Sequence, residues 1–471
     1  MQEDSVLDCV IKGGKVVLRD RVQTADIAVR GGSIVQISPD IHAPSKQTID
    51  ARGLYAMAGV VDAHVHLNEP GLGEWEGFDT GSAALAAGGC TAFLDMPLNG
   101  IPPTVNAAAL NRKLEAARAA GTRIDYGLWG GLVPDNLDDL ETLADKGVIG
   151  FKAFMSDPGH TGQGCFRSVD DVALFEGMKV IAGKNKVLAV HAESEEVIAA
   201  LSGKFSRRKT RTARDYAETR PLAAELDAVR RALLFAERTE CPLHLVHLSS
   251  PQAVDIAWEA KANGANVTVE TCPHYLTFTD EDAEALGPIA KCAPPIRGAR
   301  EREGLWARLA EGKIDLVASD HSPCPPQMKA SAGDDYFSAW GGVAGAQSML
   351  ELVFDEGYLK RGLPLPLLSK VLSEAPARRF GLFPRKGRLA VGSDADIVLV
   401  NPEAPYELTP DLLRYKHKIS AYAGRTFRSR VVLTMSRGQT VYSIERGVAA
   451  AEGQGEWLRA AESGVRRRLI L

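Results

Sequence analysis

The 471 residues include 55 lysines and arginines and 60 aspartates and glutamates, which gives a net charge of −5. This balance excludes the basic surface that is typical of nucleic-acid-binding proteins. Hydrophobic residues make up 45% of the chain and charged residues 24%, values that exclude a disordered chain and supply a large core. The length suits one large domain with a smaller one.

We expect the protein to have neither a signal peptide nor a membrane-spanning helix. Its apolar runs fall short of the ~18–20 residues of a membrane-spanning helix, and the start, MQEDSVLDCVIKGG, has acidic residues where a signal peptide has basic ones. Seven cysteines, scattered and without a CxxC pair, argue against a disulfide framework and a structural zinc site. We therefore expect a soluble cytoplasmic protein that acts on a small molecule and binds neither nucleic acid nor membrane.

Both terminal segments have the pattern of short strands joined by tight turns. Polar and apolar residues alternate between glycines from residue 6 to about 55, and again in 386–402 and 429–443. Neither segment has enough strands to bury a sheet face alone. We predict that residues 1–55 and 386–471 combine into one composite β-sandwich domain.

Between them, residues 56–385 alternate short apolar runs with helix-like segments. Helical periodicity is clear in 107–121, 224–238 and 251–264. The apolar runs are 59–67, 91–97, 125–132, 148–155, 187–193, 243–249, 267–275 and 315–321. Eight alternating strands and helices predict an α/β fold, a (β/α)₈ TIM barrel, with 322–345 as a long loop beside its active site. A doubly wound open sheet is the alternative, but the first run lacks a GxGxxG turn.

Several of these runs carry chemically active side chains at or near their ends. Asp62, His64 and His66 alternate along the first run and therefore share one face. The later runs supply Lys152, His191, His247, Asp320 and His321. Because barrel active sites form at the carboxyl ends of the strands, these side chains are expected to converge. Imidazole nitrogens with a carboxylate suit zinc, manganese, cobalt or iron, and the set contains no cysteine of a closed structural zinc site.

Lys152 is unusual because it lies in the apolar run VIGFKAFM, where an ammonium beside metal cations would be costly. One interpretation is a core lysine paired with a carboxylate. We favour a carbamate, formed when the desolvated amine adds carbon dioxide, which could bridge two cations about 3.5–4 Å apart. Such a centre lowers the pKa of water from about 15.7 to about 7 and supplies a bridging hydroxide. Asp320 would take the proton and pass it to the departing nitrogen, so the predicted reaction is hydrolysis.

Some of the remaining polar residues are expected to orient the ligands or the substrate, and others are expected at the surface. Asp62, His274 and His321 are candidates for orienting the ligands or the substrate. His244 is three residues from His247 and is expected to face away from it. His42, His160 and His417 are predicted at the surface, and the basic run 204–214 is predicted as a solvated loop.

Six motifs together resemble the amidohydrolase superfamily, in particular its cyclic amidohydrolases: VDAHVHLNEPG, GFKAFM, VHAE, LVHLSS, SDHSP and GRLAVGSDADIVLV. The resemblance implies a distorted TIM barrel with a composite β domain, two divalent metal ions per subunit and a homotetramer. It assigns the metal ligands to His64, His66, carbamylated Lys152 (N6-carboxylysine), His191, His247 and Asp320. Zinc is the first expectation for the metal, with cobalt, manganese or iron as alternatives.

Three positions separate the branches of this group. Asn68 stands where dihydroorotases commonly have an arginine, DMPLNGIPPT departs from their DMPN pattern, and Asp157 stands where hydantoinases typically have a tyrosine. HLNEPG, WEGF (75–78), DMPLN and KCAPPIR (291–297) look most like the allantoinase branch, whose members open the hydantoin ring of allantoin to give allantoate in purine catabolism. Dihydroorotase and hydantoinase or dihydropyrimidinase activities stay open as alternatives, as does a non-catalytic scaffold. Candidate substrate contacts are Asn68, Asn99 and Cys292, although Cys292 and Cys324 could equally be apolar packing.

Overall fold

The computed structural model describes residues 6–159, 165–206, 208, 210–330, 333, 335–449 and 454–460. Its strands are β1 (Leu7–Val17), β2 (Val22–Arg30), β3 (Ser33–Ser38), β4 (Ser45–Asp50), β5 (Tyr55–Ala58), β6 (Val60–Val65), β7 (Cys90–Asp95), β8 (Asp125–Leu128), β9 (Gly130–Gly131), β10 (Phe151–Phe154), β11 (Leu188–His191), β12 (Leu243–Leu245), β13 (Val267–Thr271), β14 (Leu316–Val317), β15 (Ile397–Asn401), β16 (Tyr406–Glu407), β17 (Thr426–Phe427), β18 (Arg430–Ser436), β19 (Gln439–Ser443) and β20 (Gly447–Val448).

The α-helices are α1 (Phe78–Ala87), α2 (Ala107–Ala119), α3 (Leu140–Lys146), α4 (Asp171–Gly183), α5 (Glu195–Phe205), α6 (Ala213–Thr219), α7 (Leu222–Thr239), α8 (Pro251–Ala262), α9 (Pro273–Thr277), α10 (Asp280–Leu286), α11 (Ala299–Ala310), α12 (Gln327–Ala330), α13 (Met349–Val353), α14 (Leu365–Ser369) and α15 (Ala375–Arg379). Two π-helical stretches, Phe354–Lys360 and Lys370–Glu374, continue α13 and α14. Within the described residues, none of these helices combines the length and apolarity that crossing a membrane requires.

The first and last parts of the chain share one mixed sheet. Its strand order is β20-β19-β18-β15-β5-β1-β2-β3, and β4 pairs with β1. The joining strand is β5, which pairs in parallel with β1 and antiparallel with β15. Apolar side chains from both segments, such as Ile27 and Ile397, belong to one buried cluster. The composite β unit of the predicted fold is therefore present, while the domain bounds 1–55, 56–385 and 386–471 stay a prediction.

The eight central apolar runs form the parallel strands of a barrel. One sheet has the order β6-β7-β8 and the other β9-β10-β11-β12-β13-β14. Strands β8 and β9 come from the same run, and a bridge between Val65 and His321 links the first strand to the end of the last. The predicted TIM barrel is confirmed, and the near-continuous burial of its strands is what a sheet covered on both faces requires.

One predicted strand region is mostly not a strand. Of 386–402, only β15 is extended, because the preceding residues turn sharply at Gly387 and Gly392, both with positive φ. The buried Lys386 holds this turn, since its ammonium lies 2.5 Å from Asp125 in the barrel and 2.8 Å from Asp396. A buried ion pair between the two parts of the molecule thus replaces strand pairing here.

Candidate active site

A cleft of about 480 Å³ opens at the carboxyl ends of the barrel strands. The predicted ligands His64, His66, His191, His247 and Asp320 line it. The loop after β14 supplies one wall through residues 337–342. The described part of the 322–345 loop therefore lies beside the cleft, which is the position that the order of strands and loops predicts.

The first group in the cleft consists of His64, His66 and Asp320. The Nε2 atoms of His64 and His66 lie 3.2 Å and 3.3 Å from Asp320 Oδ1. Burial alone would raise the pKa of Asp320, but the adjacent imidazoles hold it well below its ordinary value. Asp320 has φ 45°, a left-handed backbone that is uncommon outside glycine and that often marks functional positions. Three ligand atoms thus converge where a cation could bind.

The second group is the pair His191 and His247. His191 Nδ1 lies 3.0 Å from His247 Nε2. The other ring nitrogen of His191, Nε2, lies 2.8 Å from Glu193, which also accepts a hydrogen bond from Arg220 at 2.5 Å. Glu193 therefore favours the tautomer in which Nδ1 of His191 is free to face His247. Burial lowers the pKa of both imidazoles, so both are neutral, as metal ligation requires.

Glu270 on β13 connects the two groups from behind. Its Oε1 lies 2.8 Å from His64 Nδ1 and accepts the backbone N–H of His247 at 3.2 Å. Its Oε2 lies 3.1 Å from His244 Nε2. Since Nδ1 of His64 donates to this carboxylate, Nε2 is left to face Asp320. His244, expected to face away from His247, points to the opposite oxygen of Glu270.

Lys152 lies near members of both groups. It is fully buried, and its Nζ has no hydrogen-bond partner among the described residues. Burial lowers its pKa to about 8. Its charge disfavours protonation of His66, His191 and His247 alike, which places the amine near members of both groups. An orphaned buried amine among neutral imidazoles is the environment in which conversion to an anion would be stabilising.

The donor set fits two divalent cations. Four imidazoles, one ionised carboxylate and one buried amine come together here, and carboxylates orient two of the imidazoles, Glu270 that of His64 and Glu193 that of His191. A second set of possible ligand atoms, on Cys272, His274 and Asp320, also lies within 4.8 Å. His274 has no partner for either ring nitrogen within the described part of the chain.

The other sequence-predicted residues lie at different depths. Asp62 accepts the backbone N–H groups of Ser319 and His64, and so ties β6 to the end of β14. The backbone oxygen of His321 accepts from the N–H of His66 at 2.8 Å. His42 is exposed and His417 lies 2.8 Å from the carbonyl of Glu74, whereas His160 falls outside the described residues.

The three candidate substrate contacts differ in position. Asn99 lines the cleft and its amide nitrogen lies 3.3 Å from His66 Nδ1. Cys292 also lines the cleft, with its thiol 3.2 Å from the Pro294 carbonyl. Asn68 is buried beneath the lining, and its side-chain amide has no partner among the described residues. Cys324 is buried as well, outside the lining.

Sequence reasoning missed the carboxylates and cations that support the ligands. Glu270, Glu193, Arg220 and Lys291 were not among the predicted site residues. A signal existed for Glu270, since a carboxylate inside the otherwise apolar or hydroxyl-bearing strand VTVET is costly to bury without a partner. Arg220 and Lys291 come from loops, and their approach to the cleft follows only from the folded chain.

Comparison with known proteins decides the family. The model of the amidohydrolase family matches residues 55–441. The chain belongs to the amidohydrolase family. The match spans the whole barrel and reaches into the shared terminal sheet, so it includes every strand that carries a candidate ligand.

Within this family, the chain is similar to allantoinases in sequence and to a hydantoinase in structure. An allantoinase of Rubrobacter xylanophilus is 47% identical over 450 residues, covering 96% of this chain and 97% of the relative. An allantoinase of Deinococcus radiodurans is 48% identical over 461 residues, covering 96% of this chain and 99% of the relative. Among solved structures, the L-hydantoinase (dihydropyrimidinase) from Arthrobacter aurescens superposes with a TM-score of 0.92 at 35% identity, covering 96% of this chain and 100% of that chain.

Proposed function

We propose that this amidohydrolase is an allantoinase, which hydrolyses the cyclic amide bond of allantoin and releases allantoate. The observation that carries the proposal is the 47–48% identity to two allantoinases over nearly the full length of both chains. The hydantoinase structure is less similar in sequence, at 35%. The polar, partly amide-lined cleft is compatible with a neutral ureide, which both donates and accepts hydrogen bonds.

The six candidate ligands would hold two divalent cations. His64, His66 and Asp320 would hold one, His191 and His247 the other, and Lys152, as a carbamate, would join both. When bound, the cations would polarise the target carbonyl and make a water molecule acidic enough to attack at neutral pH. We propose zinc, with cobalt, manganese or iron as alternatives, because a nitrogen and oxygen donor set accepts all of them.

The proton would move through Asp320. Its Oδ1 is contacted by both His64 and His66, so Oδ2 is the atom left to exchange a proton. The carboxylate is ionised at neutral pH and can accept a proton from the attacking water as the new C–O bond forms. It then donates the proton to the ring nitrogen as the C–N bond breaks, which leaves Asp320 ready for the next cycle.

The same cleft would bind and orient the ring. Asn99 is placed to hydrogen bond a ureide near His66, and Cys292 lies on the opposite loop. Asn68, with its free amide below them, is the third proposed contact. Phe154 stacks on His191 with ring centroids 4.6 Å apart and an interplanar angle of 15°, and so keeps bulk water away from one side.

Three finer properties complete the proposal. We place the protein in the cytoplasm, since its cysteines are unpaired and six of them are buried. A homotetramer is proposed on the family resemblance, and size-exclusion chromatography with light scattering would test it. A role in purine catabolism follows from allantoin as the substrate.

The test is a substrate profile of the purified protein loaded with a divalent metal. We expect kcat/KM for allantoin to exceed that for dihydroorotate and for 5-substituted hydantoins at least about a hundredfold, a difference of about 2.7 kcal/mol in transition-state binding. A profile in which dihydroorotate or a hydantoin is hydrolysed and allantoin is not would contradict the proposal. Absence of activity on every cyclic amide would favour a non-catalytic scaffold.

A further inference from the structure

One wall of the cleft is an irregular backbone segment, which we call the glycine wall (residues 337–342, FSAWGG). All six of its residues line the cleft. Only Phe337–Ser338 belong to a regular element, a short 3₁₀ turn, so strand or helix pairing does not hold the rest. Its backbone carbonyls must find partners elsewhere.

Two lysines provide those partners. Lys291 Nζ donates to the carbonyls of Phe337 at 2.8 Å and Ala339 at 2.6 Å. Lys329 Nζ donates to the carbonyls of Trp340 at 2.7 Å and Gly342 at 2.8 Å. Four of the six wall carbonyls therefore point at two ammonium groups, one from the loop after β13 and one from α12.

The wall has little freedom to find another shape. The N–H of Gly342 donates to the backbone carbonyl of Lys291 at 2.8 Å, and that of Trp340 donates to Met328 at 3.0 Å. A Cβ added to Gly342 would lie 2.4 Å from the Ser322 carbonyl, so the wall is pressed against the chain just beyond Asp320. At its other end, Arg211 forms a two-point ion pair with Asp335 at 2.7 and 2.5 Å. Arg211, in the basic run expected to be solvated, thus holds the residue two positions before the wall and packs on the Phe337 ring, 4.5 Å from its centroid.

The surroundings of both lysines disfavour the charged form of the ammonium group. Lys291 is buried, faces the rings of Tyr216 and Tyr336, and has no carboxylate within 4 Å in the described part of the chain. Burial lowers the pKa of Lys291 to about 7 and that of Lys329 to about 8. A buried cation with only carbonyl partners contributes little to the free energy of unfolding. An apolar side chain at the same position would stabilise the fold more, so stability alone does not account for these lysines.

We infer that Lys291 and Lys329 are positioning residues, which fix the orientation of the glycine-wall carbonyls and so fix the surface that binds the substrate ring. A trans peptide directs its N–H opposite to its carbonyl, so the contacts of Lys329 with Trp340 determine where the N–H of Gly341 points. This inference rests on the proposed function for the identity of the ring. It adds that substrate binding depends on two lysines that touch neither the reacting bond nor the metal ligands.

The experiment uses Lys329, which does not line the cleft, and the full-length, metal-loaded protein. We expect Lys329→Gln to raise KM for allantoin at least about tenfold, with kcat within about threefold, because charge-assisted hydrogen bonds to the wall are lost. Lys329→Arg, which keeps the charge and two donors, should restore KM to within about threefold. Lys360→Gln is the control and should leave both constants unchanged, because Lys360 is exposed, pairs with Glu356 and does not line the cleft.

Hydrogen exchange separates this inference from the proposed function, because it needs no substrate. Amides of 337–342 should exchange faster in Lys329→Gln than in the wild type, while those of β10 and β11 should not change. If the wild type proves inactive on allantoin, the exchange result still tests the lysine. Unchanged exchange in the wall, a fall in kcat with constant KM, or a general loss of folding in Lys329→Gln would each overturn the positioning role.

Discussion

Replacing Lys152 by alanine is expected to lower kcat/KM for allantoin at least about a thousandfold, about 4 kcal/mol of transition-state stabilisation. The buried amine is close enough to the His64/His66/Asp320 group and to the His191/His247 pair for its charge to disfavour protonation of His66, His191 and His247. Steady-state kinetics of Lys152→Ala would measure the loss of kcat/KM, and metal analysis would measure how much metal the variant binds. The matched control is Lys186→Ala, a partly buried lysine before β11, at the opposite end of the barrel. That variant should keep activity within about twofold.

A carbamate on Lys152 also predicts that carboxylic acids added to the solution can replace the missing group. If the missing group is a carboxylate, short carboxylic acids such as acetate or propionate should restore part of the activity of Lys152→Ala. The same acids should have no effect on the wild type or on Lys186→Ala. Failure of every short acid to restore activity, with both metals still bound to the variant, would argue for an ordinary structural lysine.

Replacing Asp320 by asparagine is expected to lower kcat at least about a thousandfold with little change in stability. The amide has the same shape but cannot accept the proton of the attacking water, and it loses the charge that faces His64 and His66. Circular dichroism should show unchanged thermal unfolding, while kcat is measured by allantoate release.

The control for this variant is Asp315→Asn. Asp315 precedes the same strand, β14, and pairs with Lys261 outside the barrel, so its loss removes an equivalent charge without reaching the cleft. Its kcat should stay within about threefold of the wild type. Retention of most activity in Asp320→Asn would contradict the assigned role, and would move the proton-accepting function to another group of the cleft.

Much of the fold could be predicted because its signals are local. Each barrel strand is a short apolar run, and each run was visible between helical segments such as α2, α7 and α8. The convergence of His64, His66, Lys152, His191, His247 and Asp320 followed from one topological rule, that the carboxyl ends of parallel strands meet. Neither inference needed a long-range contact to be known in advance.

The supporting interactions could not be predicted because they depend on such contacts. The partner of Lys386 is Asp125, 261 positions away, and this contact lies at the start of the predicted strand region 386–402, of which only β15 is extended. Lys291 and Lys329 contact backbone carbonyls. Because every residue has a backbone carbonyl, the residue types in the sequence do not indicate which ones these lysines contact. Glu270 was detectable as a buried carboxylate, but only the structure identifies His64 and His244 as its partners.

A diffraction experiment on crystals of the active, metal-loaded protein tests the central claim most directly. Anomalous scattering at the absorption edge of the bound metal, combined with density at Lys152, reports the number of ions and the chemical state of the side chain together. The account predicts two ions per chain, one beside His64, His66 and Asp320 and one beside His191 and His247, with continuous density for a carboxylated Lys152 between them. Well-ordered density for an unmodified lysine, or a single ion in fully active protein, would contradict it.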